Sequence, residues 1–272
     1  MMIPADQKPS DESKARSFSP SRPAPALNVG FLDGVLLVDK PENWTSHDVV
    51  AFVRRRFGIK KVGHAGTLDP LATGLLVLLL GKGTKSSMEL SACDKEYFGA
   101  LELGVQTDSH DRHGKVIAEA PWEHITLEAL RAKAAAEFTG AIVQVPPMVS
   151  ALKHEGTRLY KLARQGKTVE REGRPVTVHE FRLEKKEGKF VEFFSYVSKG
   201  TYVRTLVNDL GESLGCYATL ARLRRLRSGP FRIEQSVTID DLKSFTPAQL
   251  REKTLPLSVI HSHADHSGPS KI

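Results

Sequence analysis

Residues 63–80 read GHAGTLDPLATGLLVLLL, a loop crowded with Gly, His, Asp and Pro that runs straight into the unbroken apolar stretch Leu75–Leu80. Six consecutive apolar residues suit a strand buried on both faces and fall far short of the about 20 that a membrane-spanning helix needs. No membrane span is expected. Outward from this run, Gly34–Asp39 (GVLLVD) reads as a second buried strand. Thr45, Ser46 and Asp48 then open a helix with Val49, Val50, Val53 and Phe57 on one face. Tyr97, Leu101, Leu103 and Val105 alternate as a strand does. Thr126 starts a helix carrying Leu127, Leu130, Ala134 and Phe138 at helical spacing, and Gly140 ends it. A short basic helix is expected from Thr157 to Gln165, strands over Val176–Leu183 and Phe190–Val197, and helices through Leu206, Leu210 and Leu214 and over Ala218–Arg227. Strands alternating with helices, without a repeat of fixed period, predict one α+β domain around a mixed sheet.

The chain has 272 residues, 40% hydrophobic and 26% charged, enough apolar material for one enzyme-sized core. Lys and Arg number 39 against 32 Asp and Glu, and Ala151–Arg232 alone holds 18 against 9. That excess makes a polyanion, nucleic acid above all, the leading partner. Arg54–Arg56 with Lys60 and Lys61, and Arg222, Arg224, Arg225 and Arg227 with Arg232, each read singly as a solvated helix face; together they point to phosphate contact. The two cysteines, Cys93 and Cys216, form no C-x-x-C pair, which fits a reducing cytoplasm and indicates neither a disulfide framework nor a cysteine zinc site. Residues 1–30 hold five Pro and five Ser and read as a disordered tail with no secretory signal. Ser258–Ile272, with His261, His263 and His266, reads as a second polar tail in which metal binding would be adventitious.

Asp69 precedes Pro70, which drives it out of the helical region, while Gly63, Gly66 and Gly74 permit close backbone approach. A carboxylate so placed is either a turn-forming Asx residue or a group held out for chemistry. The chain has no G-x-x-x-x-G-K-[ST] phosphate loop and no G-x-G-x-x-G dinucleotide turn. His64 and Asp69 lack a third nearby ligand, no H-E-x-x-H or G-x-S-x-G occurs, and Cys93 sits in no activating setting. Neither metal nor cofactor is expected, and Asp69 is left as the candidate nucleophile.

Four segments then carry a resemblance. GVLLVDKP, GHAGTLDPLATGLL, DKEYFGALELGVQTDSHD and GTYVRTLVNDLGESLGCYATLARLRRL occur in the order found in the tRNA pseudouridine-55 synthase family, the TruB type, and together they span about residues 31–245. The chain closely resembles that family. The resemblance implies an isomerase that detaches uracil from its ribose in the T arm of tRNA, turns it and reattaches it through carbon. It implies the pseudouridine-synthase fold, a mostly antiparallel mixed sheet flanked by helices with a central RNA-binding cleft, in a cytoplasmic enzyme acting as a monomer. By the family's motifs Asp69 is the catalytic aspartate, Arg204 its buried partner and Tyr97 the platform for the extruded base. His64 fills the space that base leaves, Leu223 walls the base, and Lys40 either meets RNA or braces the catalytic loop. Met148–Pro175 falls at a thumb-like RNA clamp, with Arg158, Lys161, Arg164 and Lys167 set to reach phosphates.

An aspartate without metal suits this chemistry. Breaking an N-glycosidic bond builds positive character on the sugar, which a carboxylate can stabilise or trap covalently. Sugar attack and glycal-type elimination both remain open from sequence. Two departures from the family pattern are visible. Asn43 stands where the family has glycine, a residue that tolerates the left-handed region. Residues 246–272 read as a short extension and tail rather than the additional C-terminal RNA-binding domain of many relatives. The rival functions are a guide-RNA-dependent sibling synthase, which carries that additional domain, and a tRNA-binding or tRNA-folding protein with a vestigial site.

Overall fold

The apolar run becomes the interior strand it was read as. The computed structural model describes residues 27–150, 153–154, 157–159 and 169–261. In chain order these form β1 (Gly34–Lys40), α1 (Ser46–Phe57), β2 (Val62–Ala65), β3 (Thr73–Leu80), α2 (Ser87–Ser91), β4 (Lys95–Leu103), β5 (Val105–Thr107), β6 (Val116–Glu119), α3 (Leu127–Glu137) and β7 (Gly140–Gln144). There follow β8 (Lys153–His154), β9 (Thr157–Arg158), β10 (Arg174–Glu187), β11 (Phe190–Val197), α4 (Val203–Ser213), β12 (Ala218–Ser228), β13 (Phe231–Arg232), β14 (Val237–Thr238), α5 (Ile239–Ser244), α6 (Pro247–Lys253) and α7 (Ser258–His261). None of these helices is long and apolar enough to cross a membrane.

One mixed sheet runs β14-β1-β3-β12-β4-β11-β10-β7, with β2 added on β3 and β13 on β12. Only β1–β14 and β3–β12 are parallel pairs. Leu76, Leu78 and Leu80 enter the larger core with Val53 and Phe57 of α1, Leu130 of α3 and Leu206 and Leu210 of α4. Leu75, Val77 and Leu79 enter a smaller core on the opposite face with Val35, Leu37 and Phe231. Both faces of β3 are covered, so its sequence is continuously apolar rather than alternating. At the start of α1, Asp48 donates its backbone N–H to Thr45 Oγ1 at 3.1 Å and accepts from Thr45 N at 2.8 Å, a reciprocal cap that fixes where the helix begins. Asn43 adopts φ 65, the left-handed turn for which asparagine is suited.

Three expectations need correction. Ala218–Ser228 is a strand, not a helix: register shifts between Leu220 and Arg222 and between Arg225 and Arg227 interrupt the alternation. A bulge sets two residues opposite one, so Leu220 and Leu223 return to the same core although three apart, and their spacing imitates a helix. The arginines of this strand are accordingly not one phosphate-facing row. Arg222 pairs with Glu192, Arg224 with Asp39 and Arg227 with Glu96, while Arg225 is buried. The borders of the described residues are also better packed than their composition suggests. Leu27 and Val29 donate to the carbonyls of Arg56 and Phe57, and Val29 is buried. Leu250 and Ile260 are buried toward the other end, so Leu27–Gly30 and Ser258–Ile260, read as tail, join the packed body. Of the segment read as a helix from Thr157, Thr157–Arg158 pairs as β9 with β8, and the remainder lies outside the described residues apart from Leu159.

Candidate active site

Asp69 sits on the loop between β2 and β3, and the sequence fastens that loop on both sides of it. Ser46, at the start of α1, accepts from Leu68 N at 2.8 Å and donates to Leu68 O at 3.2 Å through one hydroxyl. Pro70 O accepts from Asn43 N at 2.9 Å and from Lys40 Nζ at 3.4 Å. Ala72 N closes a turn onto Asp69 O at 3.1 Å, while Leu68 and Leu71 anchor in the larger core. Gly74 is required where the loop rejoins the sheet: its φ is +95°, and a Cβ there would lie 2.4 Å from Arg225 O. The carboxylate so presented is 42% exposed, whereas Leu68 before it and Leu71 after it are buried.

Arg204, on the first turn of α4, is only 3% exposed and sets Nε 3.3 Å from Asp69 Oδ2. Its other nitrogens donate to Ser109 O and Val149 O, and Nη1 lies 3.9 Å from Asp111 Oδ2. Asp111 is itself held, accepting from Ser109 Oγ at 2.8 Å and from His113 N at 3.0 Å. Gln144 pins the start of α4 by accepting from Tyr202 N at 2.7 Å and donating to Tyr202 O at 3.1 Å. The guanidinium therefore lies between two carboxylates with its two terminal nitrogens fixed by carbonyls; its contact with Asp69 is an ion pair, Nε making no hydrogen bond, so Asp69 faces a positive charge that cannot itself swing.

Lys40 is 0% exposed and donates to the carbonyls of Pro41, Trp44 and Pro70. Its ammonium is closed to solvent and tied to the aspartate loop at Pro70. Burial lowers its pKa to about 8, partly opposed by the charge of Asp69. Tyr97 and Leu223 belong to the core cluster that contains Leu68 and Leu71, and Tyr97 faces Arg225 across the β4–β12 ladder. His64 lies half-buried on β2, its ring edge-on to His47 at 6.1 Å. Burial, then His47, depresses its pKa to about 4, so it is neutral near pH 7. Beside it opens a hollow of about 430 Å³ lined by Arg54, Lys60, Lys61, Thr84 and Ser87. The backbone of Arg158 is described in β9; its side chain, and Lys161, Arg164 and Lys167 entirely, lie outside the described residues. Among the described residues no three His, Cys, Asp or Glu side chains are grouped as a metal site would require.

Two participants escaped the sequence reading. Asp111, in QTDSHD, had a visible signal in its crowd of short polar residues. Arg225 had none, being the third basic residue in a run that resembles a solvated face.

Known proteins align with this geometry. Residues 54–203 match the TruB family pseudouridylate synthase N-terminal domain, and residues 204–260 the tRNA pseudouridylate synthase B C-terminal domain. The tRNA pseudouridine synthase B of Opitutus terrae is 47% identical over 226 residues, covering 83% of this chain and 93% of that one. Its counterpart from Thermobifida fusca is 45% identical over 262 residues, covering 87% and 89%. Among solved structures, a Cbf5–Nop10–Gar1 complex contains a chain that superposes with a TM-score of 0.64 at 31% identity, covering 85% of this chain and 62% of that one. With the fold, the aspartate loop and these matches in agreement, the chain belongs to the TruB family of pseudouridylate synthases.

Proposed function

We propose that this protein converts uridine to pseudouridine at position 55 in the T arm of tRNA, with Asp69 as the catalytic group and with neither metal nor cofactor. The observation that carries the reading is the Asp69–Arg204 pair: a solvent-reaching carboxylate on a fastened loop, oriented at 3.3 Å by a guanidinium that is otherwise buried. Once RNA covers the site, a carboxylate must stay ionised while losing water, and an adjacent fixed cation serves that need. Cleavage of the glycosidic bond then leaves uracil free to turn, with Asp69 either bonded to the sugar or having taken a proton from it. Tyr97 and Leu223 provide an aromatic and an apolar surface for the extruded base, and such stacking is worth about 1–3 kcal/mol. His64 and the basic hollow beside it suit the displaced loop and its phosphates. The thumb-like segment 148–175 clamps the arm, residues 31–245 carry the catalytic unit, and the protein works as a cytoplasmic monomer.

The sibling reading, synthesis directed by a guide RNA, has support in the Cbf5 superposition. The tRNA reading is better supported. The Opitutus terrae tRNA synthase is 47% identical against 31% for that chain, and residues 204–260 match a C-terminal domain named for the tRNA enzyme. Incubation with unmodified tRNA and mapping of pseudouridine at single-nucleotide resolution tests the proposal. Product at position 55 from protein and RNA alone is expected, and none there would refute it.

A further inference from the structure

Arg225 is 1% exposed, and its guanidinium spans the base of the Asp69 loop. Nη2 donates to Gly66 O at 3.1 Å, Nη1 to Thr67 O at 3.4 Å and Nε to Leu75 O at 2.7 Å. The first two acceptors lie where the chain enters the loop and the third where it leaves, so one rigid fork closes the loop at its neck. Gly66 adopts φ +85°, the left-handed region that favours glycine, and a Cβ there would meet Nη1 and Lys95 Cε only at ordinary contact distances of 3.5 and 3.6 Å.

Fastening alone does not explain an arginine. Among the described residues no carboxylate stands within ion-pair distance of Arg225, although every other arginine of β12 has one. Burial is the main cause that lowers the pKa of Lys40 and Lys95 to about 8, and the charge of Arg225 pushes both the same way. Burying a cation without a partner costs several kcal/mol, and a neutral amide could have satisfied one or two of these carbonyls. The planar fork is the group that reaches all three. The carboxylate on the loop it closes is Asp69, and Tyr97 lies directly opposite Arg225 in the ladder.

We infer that Arg225 is a positioning residue for the isomerisation, holding the Asp69 loop in register with the strand that carries Tyr97. This rests on Asp69 being the catalytic group. A displacement of about 1 Å at a reacting group costs about 100-fold in rate, whereas a merely structural arginine would cost melting temperature and leave the folded enzyme's rate intact.

The test measures single-turnover rates at saturating unmodified tRNA transcript, well below each variant's melting temperature, beside the dissociation constant for the same transcript. Arg225→Gln should lose about 100-fold in rate with its dissociation constant within about threefold of wild type, and Arg225→Lys should recover part of the rate. Should Arg225→Gln not fold, Gly66→Ala attacks the same contact from the loop side without removing a charge, straining φ +85° and moving the Gly66 carbonyl, and the same rate loss is expected. Asp69→Asn serves as the reference. A folded Arg225→Gln or Gly66→Ala that turns over within threefold of wild type, while Asp69→Asn is inactive, overturns the inference. An active Asp69→Asn overturns the assignment of Asp69 beneath it.

Discussion

Replacing Asp69 by Asn isolates the charge from the shape. Around Arg204 two carboxylates compete, Asp69 Oδ2 at 3.3 Å and Asp111 Oδ2 at 3.9 Å. At an effective dielectric of about 20 these distances correspond to gross attractions of about 5 and about 4 kcal/mol, so close to half of the compensation of Arg204 survives the substitution. Two carbonyl acceptors survive as well. Asp69 is 42% exposed, and solvent screening reduces its net contribution to stability to about 1 kcal/mol. Asp69→Asn should therefore melt within a few degrees of wild type and bind tRNA transcript normally. Its turnover should fall by a factor of about 10⁴ or more, because an amide is a far poorer nucleophile and base. A structural Asp69, needed only as a hydrogen-bond acceptor in its turn, would keep its role as Asn. Melting curves, filter binding and a single-turnover assay of pseudouridine formation separate the two cases. Conversion within about tenfold of wild type would show that the carboxylate does no chemistry.

Other consequences can be checked alongside. Arg204→Lys puts a point charge where a fork now bridges Asp69, Ser109 and Val149, and its rate should drop at least about 100-fold; an unchanged rate would mean that the fork's geometry is idle. Binding of tRNA should weaken steeply with salt, and Lys60→Ala or Lys61→Ala in the hollow beside His64 should each lower the log–log slope by about 0.7–0.9, which a salt titration reads directly. Activity should survive exhaustive EDTA treatment, and loss that Zn²⁺ restores would contradict the metal-free chemistry. His64 and His110 have folded pKa values of about 4, set in each case first by burial, against 6.5 unfolded. The unfolded chain thus binds more protons between those values, and stability held above pH 6.5 is lost as pH falls toward 4. Allowing for residual solvent contact, each contributes about 1–2 kcal/mol. Melting temperature should fall over that window, and His110→Asn should flatten the fall.

Where one kind of burial rules an element, its sequence announced it. Leu75–Leu80 lies in the middle of a sheet covered on both faces, so unbroken apolarity was a sufficient sign. Residues Ser46–Phe57 carry a cap at one end, Gly58 at φ 64 at the other and a single apolar stripe between them. Ala218–Ser228 obeys no single period because its two register shifts exchange faces partway along. Pattern reading assumes that a residue's face follows from its number, and a bulge breaks that assumption without leaving a Gly or Pro to mark it. The bulged strand is also the one that brings Leu223 and Arg225 to the aspartate loop, so the error fell beside the site.

The candidate site divides along the same physical line. Asp69 stood out because a carboxylate between glycines and before proline is hard to account for as a bare turn. Lys40, Arg204 and Arg225 did not, because sequence patterns place Lys and Arg in water. Each is buried here by contacts to carbonyls that come from distant parts of the chain: Pro70 for Lys40, Ser109 and Val149 for Arg204, Gly66 and Leu75 for Arg225. Lys40 also donates to nearby Pro41 and Trp44, but for Arg204 and Arg225 no local window contains both the donor and these acceptors, so only the resemblance singled out Arg204, and it offered nothing for Arg225. The three cations converge on the loop that carries one half-exposed carboxylate, and that convergence gives an otherwise costly burial its reason. Asp69 keeps its place because the protein has enclosed these positive charges behind it and left the carboxylate half-exposed on the open side of the loop.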